Sequence, residues 1–182
     1  MRIRALIAAS ALALSGCGTT PSTAPPLSAA AQAQAKMEFT VIGIADRHPF
    51  PDWSAHDIDG YAWNTGNLHD GLTVVNFWAS WCQPCVEEWA DLQIAAETHP
   101  SVAFLGVDSM DDPTTARRFL REHPTQYRHL VDDDASLLHE LPGIPDSEIP
   151  TTVILDAEHR LAAWKVGPTS RGQIRRALAQ LL

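Results

Sequence analysis

Two cysteines separated by two residues, Cys82-Gln83-Pro84-Cys85, are the pair in this chain whose type and spacing could do chemistry. At a helix start, two intervening residues bring the sulfurs close enough to join across one turn. The same position offers unpaired N–H groups and the positive end of the helix dipole, which favour a thiolate over a thiol. The residues around the pair supply that setting. Leu72 to Phe77 is β-branched and nearly all apolar, and reads as a strand buried on both faces. From Cys85 onward the apolar positions Cys85, Trp89, Leu92 and Ala96 follow a helical period. Pro84 suits the first helical turn, where its missing N–H would have no partner. Cys82 is therefore expected as an exposed attacking thiol and Cys85 as a buried resolving thiol.

Other uses of such a pair fit less well. A structural zinc site needs two further ligands; there is no second Cys-x-x-Cys, and the eight histidines are dispersed. A purely structural disulfide with so short a loop would restrain little chain and stabilise weakly. A c-type haem site needs histidine after the second cysteine, where Val86 stands. Redox chemistry without metal or cofactor is the expectation. The formal net charge of -9 argues against a nucleic-acid partner.

The chain has 182 residues, 45% hydrophobic and 19% charged, enough to bury one core of ordinary size. Residues 1–16 read as an export signal: Arg2 and Arg4 precede an uncharged run from Ala5 to Leu14, too short to span a bilayer. The run ends in Leu14-Ser15-Gly16-Cys17, which resembles the bacterial lipobox and marks Cys17 for lipidation. Residues 17–36 contain three prolines, six alanines and no acidic residue, and read as a spacer. The folded domain is expected over 37–182.

Within it, Phe39 to Ile44 alternates loosely as a first strand, and Asp59-Gly60 signals a turn between short strands at Asp52 to His56 and Tyr61 to Trp63. Val102 to Val107 is a second buried strand. Asp112-Pro113 caps a helix with Ala116, Phe119 and Leu120 inward. A short strand at Arg128 to Val131 and a helical turn at Ser136 to Leu141, closed by Pro142 and Gly143, follow. Thr151 to Leu155 and Leu161 to Val166 form a hairpin. Ser170-x-x-Gln173 opens a last helix burying Ile174, Ala177, Leu178 and Leu181. This pattern is an α/β sheet covered on both sides.

The run Val75 to Cys85 resembles the active-site segment of thioredoxin-like proteins, most closely the membrane-anchored TlpA/ResA type. The resemblance extends to Asp52 to Gly60 and to Ile149-Pro150-Thr151-Thr152, covering roughly residues 50–182. It implies a thioredoxin fold, a central mixed sheet flanked by helices, with an added N-terminal β-hairpin. A helix–strand insertion is implied between about Asp108 and Val131. Pro150 matches a cis-proline beside the disulfide, and Ile149 would offer its backbone to a substrate strand. Glu88 matches an acidic residue that could accept a proton near Cys85; a solvated first-turn glutamate favouring the helix dipole is the alternative. Trp81, with Gln83 and Pro84, would contact the partner, and Trp78 would shield the site or belong to the core. Two departures stand out: Asn76 where thioredoxins bury an aspartate, and Phe104 where they carry a lysine, so their aspartate–lysine pair is absent. Gly143 to Glu148 also looks long.

The resemblance implies an exported, lipid-anchored thiol–disulfide oxidoreductase that reduces protein disulfides. Apocytochrome c is a substrate of this type, and a membrane thiol-reducing protein would recharge the site. An oxidant that installs disulfides is the near alternative. A non-enzymatic binding module, a chaperone or copper carrier, is the alternative from another class.

Overall fold

The computed structural model describes residues 38–141, 143–144 and 148–182. The signal, Cys17 and the tether expected over 1–36 lie outside the described residues, as do Pro142 and positions 145–147 of the long loop.

Among the described residues, eight strands form two sheets. In the larger, β4 (Thr73–Trp78) is central, parallel to β5 (Ala103–Ser109) on one side and antiparallel to β7 (Thr151–Leu155) on the other. β6 (Arg128–Asp132) continues the parallel side, while β8 (Leu161–Val166) and β1 (Thr40–Val41) continue the antiparallel side. The order is β1-β8-β7-β4-β5-β6. The smaller sheet is the hairpin β2 (Ser54–His56) and β3 (Ala62–Asn64), turned at Gly60 with φ 93°. Its turn docks on the β6 edge through Ile58 N–H to the His129 carbonyl, 2.9 Å. The first strand is shorter than the expected 39–44, because β8 pairs with only two of its residues.

Among the described residues, four α-helices flank the sheet. α1 (Gln83–Thr98) and α4 (Arg171–Leu181) cover one face, packing Leu92, Ala95, Ile174 and Leu178 onto Val74, Ile154 and Ala163. α2 (Pro113–Glu122) extends that layer beside Trp78. The opposite face carries α3 (Ser136–Glu140) and the hairpin, which seal Val75, Phe77, Leu105 and Val153. β4 has no exposed residue, as expected for a strand with both faces covered. The capping signals act as expected: the Asp112 carboxylate accepts the Thr114 and Thr115 N–H groups, and Ser170 and Gln173 form a reciprocal capping box. On α1 the buried stripe runs Cys85, Glu88, Trp89, Leu92, Ala95, so Ala95 takes the place expected of Ala96. No helix among the described residues is long and apolar enough to cross a membrane.

Candidate active site

The chain leaves β4 at Trp78, crosses Ala79-Ser80-Trp81 and enters α1 with Cys82 as its N-cap. Cys82 and Cys85 are joined by a disulfide, S–S 2.00 Å. The Cys85 N–H points at Cys82 Sγ, 3.2 Å away. That donor, in the first turn of the helix and shared with the Cys82 carbonyl at 3.1 Å, is placed to stabilise negative charge on Cys82. Cys82 is less open than the sequence suggests, at 4% exposed against 1% for Cys85. The disulfide lies in a cluster with Trp78, Ala79, Trp89 and Ala116, with Ile149 packed against it, so in this oxidised state only an edge of Cys82 meets solvent.

Pro150 reaches the same place through sheet pairing. Thr151 pairs with Phe77 at the end of β4, which sets Pro150 beside the segment leading to Cys82. The Ile149–Pro150 bond is cis, in line with the resemblance. Ile149 is half-buried against the cluster that holds both cysteines. Trp81 stands 60% exposed, its ring N–H donating to the Met110 carbonyl at 3.0 Å. Gln83 and Pro84 are exposed on the same rim. Trp81, Gln83 and Pro84 therefore form an exposed rim beside Cys82, with Ile149 half-buried and Cys85 and Pro150 buried behind it. Trp78 does not join that rim. It is fully buried, in edge contact with Trp89 (centroids 4.8 Å apart) and His129 (5.2 Å), and is core.

Glu88 is not the solvated first-turn glutamate of the second alternative: it is buried, only 2% exposed. Three residues on from Cys85, it lies on the same helix face and reaches over the sheet. Its Oε1 accepts the Asn76 side-chain N–H at 2.8 Å, and its Oε2 accepts the Thr169 backbone N–H at 2.6 Å. Asn76 donates also to Thr152 Oγ1, at 3.1 Å. Burial pushes the Glu88 carboxyl up to about 7, against the lowering pull of the Thr169 N–H, the Asn76 amide and the Lys165 charge. A carboxyl poised there can take or return a proton near neutral pH.

Two groups here escaped the sequence reading. Lys165, on β8, is fully buried, and desolvation holds its ammonium below the ordinary lysine range. The aspartate–lysine pair is indeed missing from its usual positions, yet an acid and a cation occur together, drawn from α1 and β8. A lone lysine inside an otherwise apolar strand was the available signal. Asp108, near the end of β5, is also fully buried, and Asp111 is its hydrogen-bonding neighbour. Burial, with Asp111 adding to it, pushes its carboxyl up to about 8. Asp111 in turn accepts the Ser80 N–H at 2.6 Å, two residues before Cys82.

Residues 46–164 match the AhpC/TSA family. The chain belongs to that family. Over 117 residues it is 31% identical to the thiol:disulfide interchange protein HelX of Rhodobacter capsulatus, covering 64% of each chain. Over 108 residues it is 27% identical to sporulation thiol-disulfide oxidoreductase A of Bacillus subtilis, covering 57% of this chain and 64% of that one. The match thus spans just under two thirds of these curated relatives. A solved secreted thiol-disulfide isomerase from Corynebacterium glutamicum superposes with a TM-score of 0.72 at 28% identity, covering 79% of this chain and 91% of that one. The chain has the thioredoxin-like fold expected from its sequence, with the hairpin and the α2–β6 segment in the places expected.

Proposed function

We propose that this chain is an extracytoplasmic thiol–disulfide oxidoreductase that reduces disulfides of exported proteins, tethered to a membrane by lipid on Cys17. The observation that carries the reading is the Cys82–Cys85 pair at the start of α1 with the buried Glu88 one turn below it. The names of the curated relatives support it.

In the reduced protein the Cys82 thiolate attacks one sulfur of a partner disulfide. A Cys82–partner S–S bond forms, the partner bond breaks, and the expelled partner thiolate takes a proton from solvent. Glu88 then accepts the Cys85 proton. The Cys85 thiolate attacks Cys82 Sγ, closes the internal disulfide and expels the second partner sulfur, which takes up a proton. The protein dithiol is oxidised and the partner disulfide becomes two thiols. Ile149 and Pro150 align the partner strand, and Trp81, Gln83 and Pro84 form the rim it meets. Apocytochrome c, with two cysteines that must be reduced before haem attaches, fits this role; a membrane thiol-reducing protein would restore the dithiol.

The test is a Cys85→Ser protein, which keeps the attack but lacks the resolving thiol. Partners should accumulate as mixed disulfides recoverable by non-reducing electrophoresis and mass spectrometry. Apocytochromes among them support the reductase reading. A broad set of secreted proteins would favour the oxidant, and no trapped partner with a free Cys82 would overturn enzymatic exchange.

A further inference from the structure

Register places three polar side chains in one row across the sheet. Asn76 on β4 pairs with Thr152 on β7, and Thr152 pairs with Lys165 on β8, so all three face the α1 side. Glu88 descends from α1 onto one end of the row through Asn76. Lys165 ends it at the other, and its Nζ is satisfied by backbone rather than by the carboxylate. It donates to the carbonyls of Val166 (3.4 Å), Gly167 (3.1 Å) and Pro168 (2.7 Å). Three acceptors match the three N–H bonds of a charged ammonium. The convergence needs a sharp turn, which Gly167 provides with φ 86°, in the region that side-chain-bearing residues avoid.

The turn has two outward connections, both into the site. The carbonyl of Pro168 and the N–H of Thr169 belong to one peptide unit. Lys165 holds its oxygen, and its hydrogen points at Glu88 Oε2, 2.6 Å away. The peptide dipole therefore lies between a cation and a carboxylate, each polarising it in the sense that strengthens the other's bond. One residue earlier, the Gly167 N–H donates to the Pro150 carbonyl at 2.8 Å. The same turn thus grips the proton-handling carboxyl and the segment that would align substrate.

We propose that Lys165 is a positioning residue for the resolving step. Through the Pro168–Thr169 peptide it holds an N–H on Glu88, and through Gly167 it fixes the Pro150 segment. This rests on the role given to Glu88 above. The other titratable groups that reach this acid–base pair are Tyr127 just before β6, whose hydroxyl is raised by burial and by the Glu88 charge, and Glu38, whose charge reaches Lys165; Cys85, one turn away on α1, is held in the disulfide.

The experiment is a carbon-13 NMR titration of the full-length disulfide form, in which neither cysteine ionises and no substrate is needed. The Glu88 carboxyl carbon is assigned by its loss in Glu88→Gln. Lys165→Met should raise the Glu88 midpoint from about 7 by about one unit, while Lys165→Arg should leave it within about 0.3 unit of wild type. A residue that merely fills space would alter melting temperature and leave the midpoint in place; an unmoved midpoint in folded Lys165→Met overturns the proposal. Should Lys165→Met not fold, wild type decides. The Lys165 Cε resonance should inflect at the Glu88 midpoint and lose that inflection in Glu88→Gln, and a flat Lys165 response overturns the proposal. Because no turnover is read, failure here leaves the oxidoreductase reading standing, and failure to trap partners leaves this coupling standing.

Discussion

Replacing Glu88 by glutamine should make the protein more stable at pH 8 and leave its stability nearly unchanged at pH 4. The reasoning starts from the buried carboxyl, raised from 4.5 to about 7, chiefly by desolvation. An acid whose folded value lies above its unfolded one keeps its full contribution below the unfolded value and loses it as pH rises through the folded one. Between about pH 4.5 and 7 the unfolded chain releases this proton while the folded chain retains it, so stability falls across that window. A difference of about 2.5 units at about 1.36 kcal/mol each comes to about 3 kcal/mol, complete by about pH 8. Glutamine escapes the penalty and still fits. Its amide oxygen can accept the Thr169 N–H. Its NH2 needs an acceptor, which Asn76 provides by turning its own amide over, with the Thr152 hydroxyl donating to the same oxygen. The assay is guanidinium unfolding of the oxidised protein at pH 4 to 8, followed by tryptophan fluorescence. The variant's advantage should grow from near zero to about 3 kcal/mol, while its resolving step slows. An advantage that is constant across this range, or that shrinks as pH rises, refutes the reasoning.

Two further expectations follow from burial. In the reduced protein Cys82 should be alkylated before Cys85, since Cys85 lies deeper and Cys82 takes the N-cap position with the Cys85 N–H aimed at its sulfur; peptide mapping after a short iodoacetamide pulse reads the order, and prior labelling of Cys85 would reverse the assigned roles. Asp108→Asn should raise the melting temperature at pH 8 by at least about 3 °C and change it little at pH 3.5. The Asp108 carboxyl, raised to about 8 by burial and by Asp111, weakens the fold progressively as pH climbs from its unfolded value of 3.8; an equal effect at both pH values would show that its ionisation is not the cause.

Much of this molecule is written in short-range signals. β7 and β8 begin and end where the apolar runs Thr151 to Leu155 and Leu161 to Val166 do, because alternation and turn residues act within a few positions. The Asp112 and Ser170 caps satisfy N–H groups two or three residues away, so sequence alone determines them. The Cys-x-x-Cys chemistry is similarly local: strand end, helix start and spacing suffice. The sequence could place Glu88 on the same helical face as Cys85, but not say whether water or protein would meet it. That was decided by Thr169, 81 residues on, whose loop closes over the carboxylate. The role of Lys165 was undecided for the same reason. A lysine in an apolar strand becomes a functional candidate only when strand pairing sets it in register with Thr152 and Asn76, and a turn wraps three carbonyls around its ammonium. The burial of Trp78 and the narrow exposure of Cys82 likewise depend on α2 and on the Ile149 segment packing from distant parts of the chain. Periodicity determines which residues share a face. Only the assembled layers decide what that face meets, and with it the desolvation that tunes Glu88.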